Sequence, residues 1–160
     1  MTTSAALAGW SVPLLVAAAI ADAGAALLHL ACIAVGAPMY RMLGAGPRMA
    51  ALAEAGHWYP TVVTLLIAAV LAVFAVYALA GAGLLPPPPL VRTGLAAIGI
   101  LLVLRGFAFI PAFLAERGGA ATLHVLGSGG SIAFWYWSSA ICLVLGLLHL
   151  AGLAGAWSRL

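Results

Sequence analysis

The chain has 160 residues, 66% of them hydrophobic and 6% charged, with a mean hydropathy of +1.24. Soluble domains carry about 25% charged residues, so these figures exclude a water-soluble globular domain and describe an integral membrane protein, expected to form one domain over residues 1–160. The net charge of +3 comes from six arginines against three carboxylates, with no lysine. Those arginines are scattered rather than clustered, which excludes a basic nucleic-acid surface.

Four apolar spans follow in chain order, at about 12–37, 61–83, 94–115 and 132–155. Each reaches the ~20 residues that a helix needs to cross a bilayer. Backbone groups in lipid must find internal partners, so helices are expected. The fold class read from this is all-α: a polytopic antiparallel bundle of four transmembrane helices. The start of the first span has the length of a signal-peptide core. No Lys or Arg precedes it and the apolar run continues past a cleavage distance, so it reads as a retained helix.

The first connector contains a short interfacial helix at 47–55, opened by Pro47 and stopped by Gly56. His57, Trp58 and Tyr59 then form an aromatic anchor before the second span. Pro86 to Pro89 make a stiff spacer between spans two and three. The third connector, 116–131, is rich in Gly and Ser and reads as a mobile loop. The residues Phe134 to Trp137 form a second aromatic belt. Arg41, Arg48 and Arg117 on one side against Arg92 and Arg159 on the other give only a slight positive-inside bias, with both termini outside the cytoplasm.

Two charges interrupt the spans, Asp22 in the first and Arg105 in the third. An ionised group at the bilayer centre costs roughly 2.5–3.5 kcal/mol on insertion scales. Counting from the span centres puts both near the midplane, where a pair would recover much of that cost. His29 follows Asp22 by two helical turns on nearly the same face. His149 lies in the fourth span, with Cys142 and Trp135 at seven-residue steps before it. Ser138, Cys142 and Gly146 form a small-residue stripe suited to close helix packing. Asp22, His29, Arg105 and His149 are therefore the candidate ligand-binding or proton-linked residues. Glu54, His57, Tyr59, Glu116 and His124, with Arg41 and Arg48, are the candidates for a polar rim at headgroup level.

No metal and no cofactor are expected. Cys32 and Cys142 sit in different spans and read as small apolar core residues. His29 and His149 should differ in depth by ~15 Å on antiparallel helices, too far to be the two axial ligands of one haem iron. The sequence Leu27-Leu-His-Leu-Ala31 recurs as Leu147-Leu-His-Leu-Ala151, a match that abundant Leu and Ala make easy to reach by chance.

The segments LLHLACIAVGAPMYR at 27–41, EAGHWYP at 54–60 and FWYWSSAICLVLGLLHLAG at 134–152 carry a resemblance to small, uncharacterised four-helix inner-membrane proteins of GC-rich bacteria. That resemblance implies a multi-pass protein of the bacterial inner membrane and lends no function. An acidic residue in helix one is shared with small multidrug-resistance exporters, but Asp in place of Glu, long connectors and an intramembrane Arg depart from their pattern. The leading expectation is binding or transport of a small amphipathic or charged molecule through a polar interior. The alternatives are a membrane enzyme acting on a lipid-like substrate, with His29 or His149 as acid/base and Ser138, Ser139 or Glu116 nearby, and a structural subunit. Membrane lipids, a small amphipathic ligand and a second copy of the chain are the partners to consider.

Overall fold

The computed structural model describes residues 3–107, 110 and 132–160. The first apolar run forms α1, Thr3–Val35, whose apolar length takes Pro13 within the helix. Two short helices follow: α2, Ala37–Met42, and α3, Pro47–Glu54. Helix α4 spans Trp58–Gly81, α5 spans Val91–Gly106, and α6 spans Ile132–Ala156. The described residues contain no strand, and the all-α class holds.

Local chemistry explains the boundaries. Pro47 stands in the first turn of α3, where its missing N–H costs nothing. Gly56 follows the helix with φ +67°, a left-handed conformation that glycine takes without a Cβ clash. The Nδ1 of His57 accepts the Tyr59 N–H at 3.1 Å and so caps α4, with Pro60 tolerated in its first turn. Helix α2 falls inside the first connector, which was expected to hold one helix, not two. Pro38 in its first turn was the available signal.

Helices α1, α4 and α6 are long and apolar enough to cross a membrane. Helix α5 has 16 residues, ~24 Å of helix against ~30 Å of hydrocarbon. Residues 108, 109 and 111–115 of the expected third span, and the whole expected loop at 116–131, lie outside the described residues. Three spans are therefore shown where four were expected.

The helices alternate in direction. Leu15 of α1 borders Gly81 of α4 and Gly152 of α6, and Leu95 of α5 also borders Gly81. Helix α1 packs extensively on α4 and α6, and α5 packs extensively on α6 but only lightly on α4. Glycine sets the α5–α6 distance: a methyl group at Gly146 would come within 2.7 Å of the Val103 backbone nitrogen. The chain thus forms two hairpins, α1–α4 and α5–α6, joined along the α1–α6 seam. On the connector side, the Tyr40 hydroxyl and Thr64 Oγ1 are 3.0 Å apart and tie α2 to α4, while Arg41 pairs with Glu54 across α2 and α3.

Candidate functional site

Ser11, Leu15, Ala18 and Asp22 follow one another on α1 at helical spacing, and all are buried. On α6, Leu145, His149, Leu153 and Ala156 form the matching buried stripe. The two stripes meet at the seam. There Asp22 and His149 face each other, with Asp22 Oδ2 and His149 Nε2 3.2 Å apart and both side chains 0% exposed. Small neighbours, Ala18, Ala19 and Ala26, enclose the carboxyl on its own helix.

The hydrogen positions of this pair follow from its partners. His149 Nδ1 lies 2.9 Å from the Leu145 carbonyl, an atom that only accepts. Nδ1 therefore donates, and the ring is held in one orientation. Nε2 then faces a carboxylate oxygen, and two lone pairs would repel there without a proton between them. A proton between them, on either atom, would remove that repulsion and leave the pair with zero net charge. Charge balance matters because an unpaired ion buried here would be costly.

The pair is close without being fully bonded. Nε2 and Oδ2 are within ion-pair distance but not aligned as a hydrogen bond, and Oδ1 has no donor among the described residues. Unmet buried polar atoms cost about 1–3 kcal/mol each. Retained deficits of this kind call for a role or a missing donor.

The pairing of Asp22 with Arg105 that a common midplane depth would favour is not formed. Helices α1 and α5 stand on opposite sides of the α1–α6 seam and do not pack extensively. The Arg105 side chain turns instead to α6, where Nη1 donates to Ser139 Oγ and Nη2 to Ser138 Oγ, each at 3.2 Å. Its guanidinium also lies 5.1 Å from the centre of the Trp135 ring. Those hydroxyls are ten to eleven residues along α6 from His149, ~15 Å. Arg105 is thus neither paired with Asp22 nor at its depth, and it reaches toward the membrane side that holds α2 and α3.

His29 stands apart from the pair. Its Nδ1 is 2.7 Å from the Ala25 carbonyl, and the side chain is half-buried. Both copies of Leu-Leu-His-Leu-Ala therefore place their histidine against the carbonyl one turn back, but among the described residues only His149 meets a carboxyl. His29 is ~10 Å along α1 from Asp22, and His149 shares the depth of Asp22 rather than lying beyond it.

The expected rim is divided. Glu54 is engaged by Arg41, His57 caps α4, and Tyr59 is exposed. Glu116 and His124 lie outside the described residues. Among the described residues no group of three or more His, Cys, Asp or Glu side chains is placed to hold a metal. An apolar groove of ≈ 540 Å³ opens between α1 and α4, lined by Ala23, Ala26, Leu30, Leu65 and Ala72 among others, and it passes within a turn of Asp22.

The register of the α1–α6 seam accounts for the Asp22–His149 contact, which a depth count misses. In a seam of antiparallel helices, residue numbers rise on one helix as they fall on the other. Arg159 Nη2 donates to Ser11 Oγ at 2.8 Å, and Leu15 borders Gly152, which sets the register that brings residue 22 near 149. Comparison of the chain with protein-family models, with curated proteins and with solved structures finds no match.

Proposed function

We propose that this chain is a proton-linked membrane protein that moves a small charged or amphipathic molecule, with Asp22 and His149 as the proton-holding groups. The observation behind the reading is the fully buried contact itself: one carboxyl and one imidazole face each other at 3.2 Å, and the second imidazole nitrogen is committed to Leu145. Transfer of a proton between the two atoms leaves the net charge unchanged. Removal of the proton leaves a buried negative charge, a state that a moving cation or an entering donor would stabilise. The unpartnered Oδ1 supplies an acceptor for such a donor. The groove between α1 and α4 gives an apolar body a place beside the same turn of α1. The setting we assign is the inner membrane of a bacterium, and it rests on the sequence resemblance alone.

The test uses the proton as its own probe. Purified protein is reconstituted in vesicles loaded with a pH-sensitive dye, and a potassium gradient with valinomycin sets the potential. Wild type is expected to pass protons down the imposed potential. Asp22→Asn is expected to abolish the flux and keep the fold, because the Asn amide can donate to His149 Nε2 without exchanging a proton. Flux by Asp22→Asn equal to wild type, or wild-type flux no greater than that of empty vesicles, would overturn the reading.

A structural role is the second reading, favoured by the glycine-spaced contact of α5 on α6 and by the position of the pair on the seam between hairpins. A catalytic reading that joins His149 and Arg105 around one reacting group has less support, since ~15 Å separates their polar ends.

A further inference from the structure

Arg105 has no anionic partner among the described residues. The chain holds three carboxylates: Asp22 faces His149, Glu54 engages Arg41, and Glu116 lies outside the described residues. The groups that Arg105 does touch are neutral and already in use. Ser138 Oγ accepts from Arg105 and gives its own proton to the Trp135 carbonyl at 3.3 Å. Ser139, 1% exposed, accepts the other guanidinium hydrogen. Both contacts, at 3.2 Å, are long for a charged donor, whose bonds to an anionic oxygen settle near 2.7–2.9 Å.

The same place holds donors without acceptors. A guanidinium offers five N–H groups, and the described residues engage two of these. The Trp135 indole N–H is buried and has no acceptor among the described residues, although its ring stands against the guanidinium. Among the described residues the neighbourhood is therefore rich in donors, poor in acceptors and positively charged. A group with several acceptor lone pairs and a negative charge answers all three conditions.

We propose that Arg105, Ser139 and Trp135 form a binding site for an oxyanion, a phosphate or carboxylate, on the α5–α6 face. The proposal is independent of the Asp22–His149 pair, which lies ~15 Å along the bundle. The site's depth suits a ligand reaching in from the interface. Ser138 is about one turn inside the start of the α6 span at Phe134, and Trp137 beside it is exposed in the manner of an interfacial aromatic. Phosphate on a lipid headgroup and free phosphate share the required chemistry, and the experiment separates them.

The protein in neutral detergent is titrated with dioctanoyl phosphatidate or with dioctanoylglycerol, which differ only in the phosphate, and occupancy is read by native mass spectrometry. Wild type is expected to hold phosphatidate and to ignore dioctanoylglycerol. Arg105→Gln should weaken phosphatidate by about tenfold or more, and Trp135→Phe, which keeps the ring and loses the N–H, by a smaller factor. Trp135→Phe leaves the charge and the packing in place, so it decides the matter if Arg105→Gln does not fold. Competition by inorganic phosphate would identify a soluble oxyanion as the ligand, and its absence a headgroup; either result supports the site. Equal phosphatidate binding by wild type and both variants would overturn it. So would a wild type that binds nothing while Glu116→Gln binds phosphatidate, because the chain would then supply the anion itself.

Discussion

The Asp22–His149 contact is a case where one deletion should do more harm than two. Removing either group alone leaves the other buried and unmatched, whereas removing both returns the seam to an apolar contact. Asp22→Leu and His149→Leu are each expected to destabilise the protein by about 1–3 kcal/mol. The double variant should be more stable than either single one. Unfolding in mixed micelles of increasing SDS fraction, followed by circular dichroism, measures all three. Additive losses would mean that the two side chains do not interact in the folded protein. The identity of the polar residues was plain from the sequence, because charges and imidazoles stand out against Ala and Leu. Their pairing was not. Depth counted from the centre of an apolar run ignores which helices are neighbours, and α1 and α5 share a direction but little surface. Arg105 shows a second limit: a long side chain carries its charge ~6 Å or more from its own backbone, so the depth of its Cα misplaces the guanidinium.

Helix positions were the most legible feature, since composition alone marks runs longer than a bilayer crossing. The ends of α3 and α4 were also readable, through Pro47, Gly56 and the aromatic anchor at Trp58. Helix α2 was obscured because six residues are too few to show a period. The small-residue stripe on α6 does what its composition suggests. Gly146 lies against Gly99 and Val103, and Gly106 against Leu143, so the α5 and α6 backbones approach closely. A Cβ at Gly146 would meet the Gly99 carbonyl oxygen at 2.8 Å, and main-chain atoms of a packed helix do not yield cheaply. Gly146→Ala is therefore expected to cost about 1–3 kcal/mol. The same substitution at Gly24, which has open space around it, should cost nothing measurable. The comparison is made by thermal unfolding in one detergent, and equal melting temperatures for the two variants would remove the close-packing argument.

The molecule has one face of connectors bearing Arg41 and Arg48, toward which Arg105 also turns its charge. The opposite face has Arg92, over the Trp157 ring, and Arg159, bonded to Ser11. Counting where the guanidinium groups lie, rather than where their backbones lie, strengthens the positive-inside bias of the first face. In a bacterial host that face is expected to be cytoplasmic. The check replaces both native cysteines with Ala and adds Ala55→Cys or Leu85→Cys, each at an exposed position on one of the two faces. A membrane-impermeant maleimide applied to intact cells should label Leu85→Cys and spare Ala55→Cys. The reverse pattern would invert the orientation, and labelling of both would indicate dual insertion.

The seam between the two hairpins also has a consequence for synthesis. Asp22 leaves the ribosome roughly 130 residues before His149, which at ~5–20 residues per second is a wait of several seconds or more. For the later part of that time, once α4 has followed, the α1–α4 hairpin has one unanswered carboxyl on an otherwise apolar stripe. Packing of α6 against α1 removes it from view. An unfinished chain is therefore chemically marked, and completion of the last helix erases the mark.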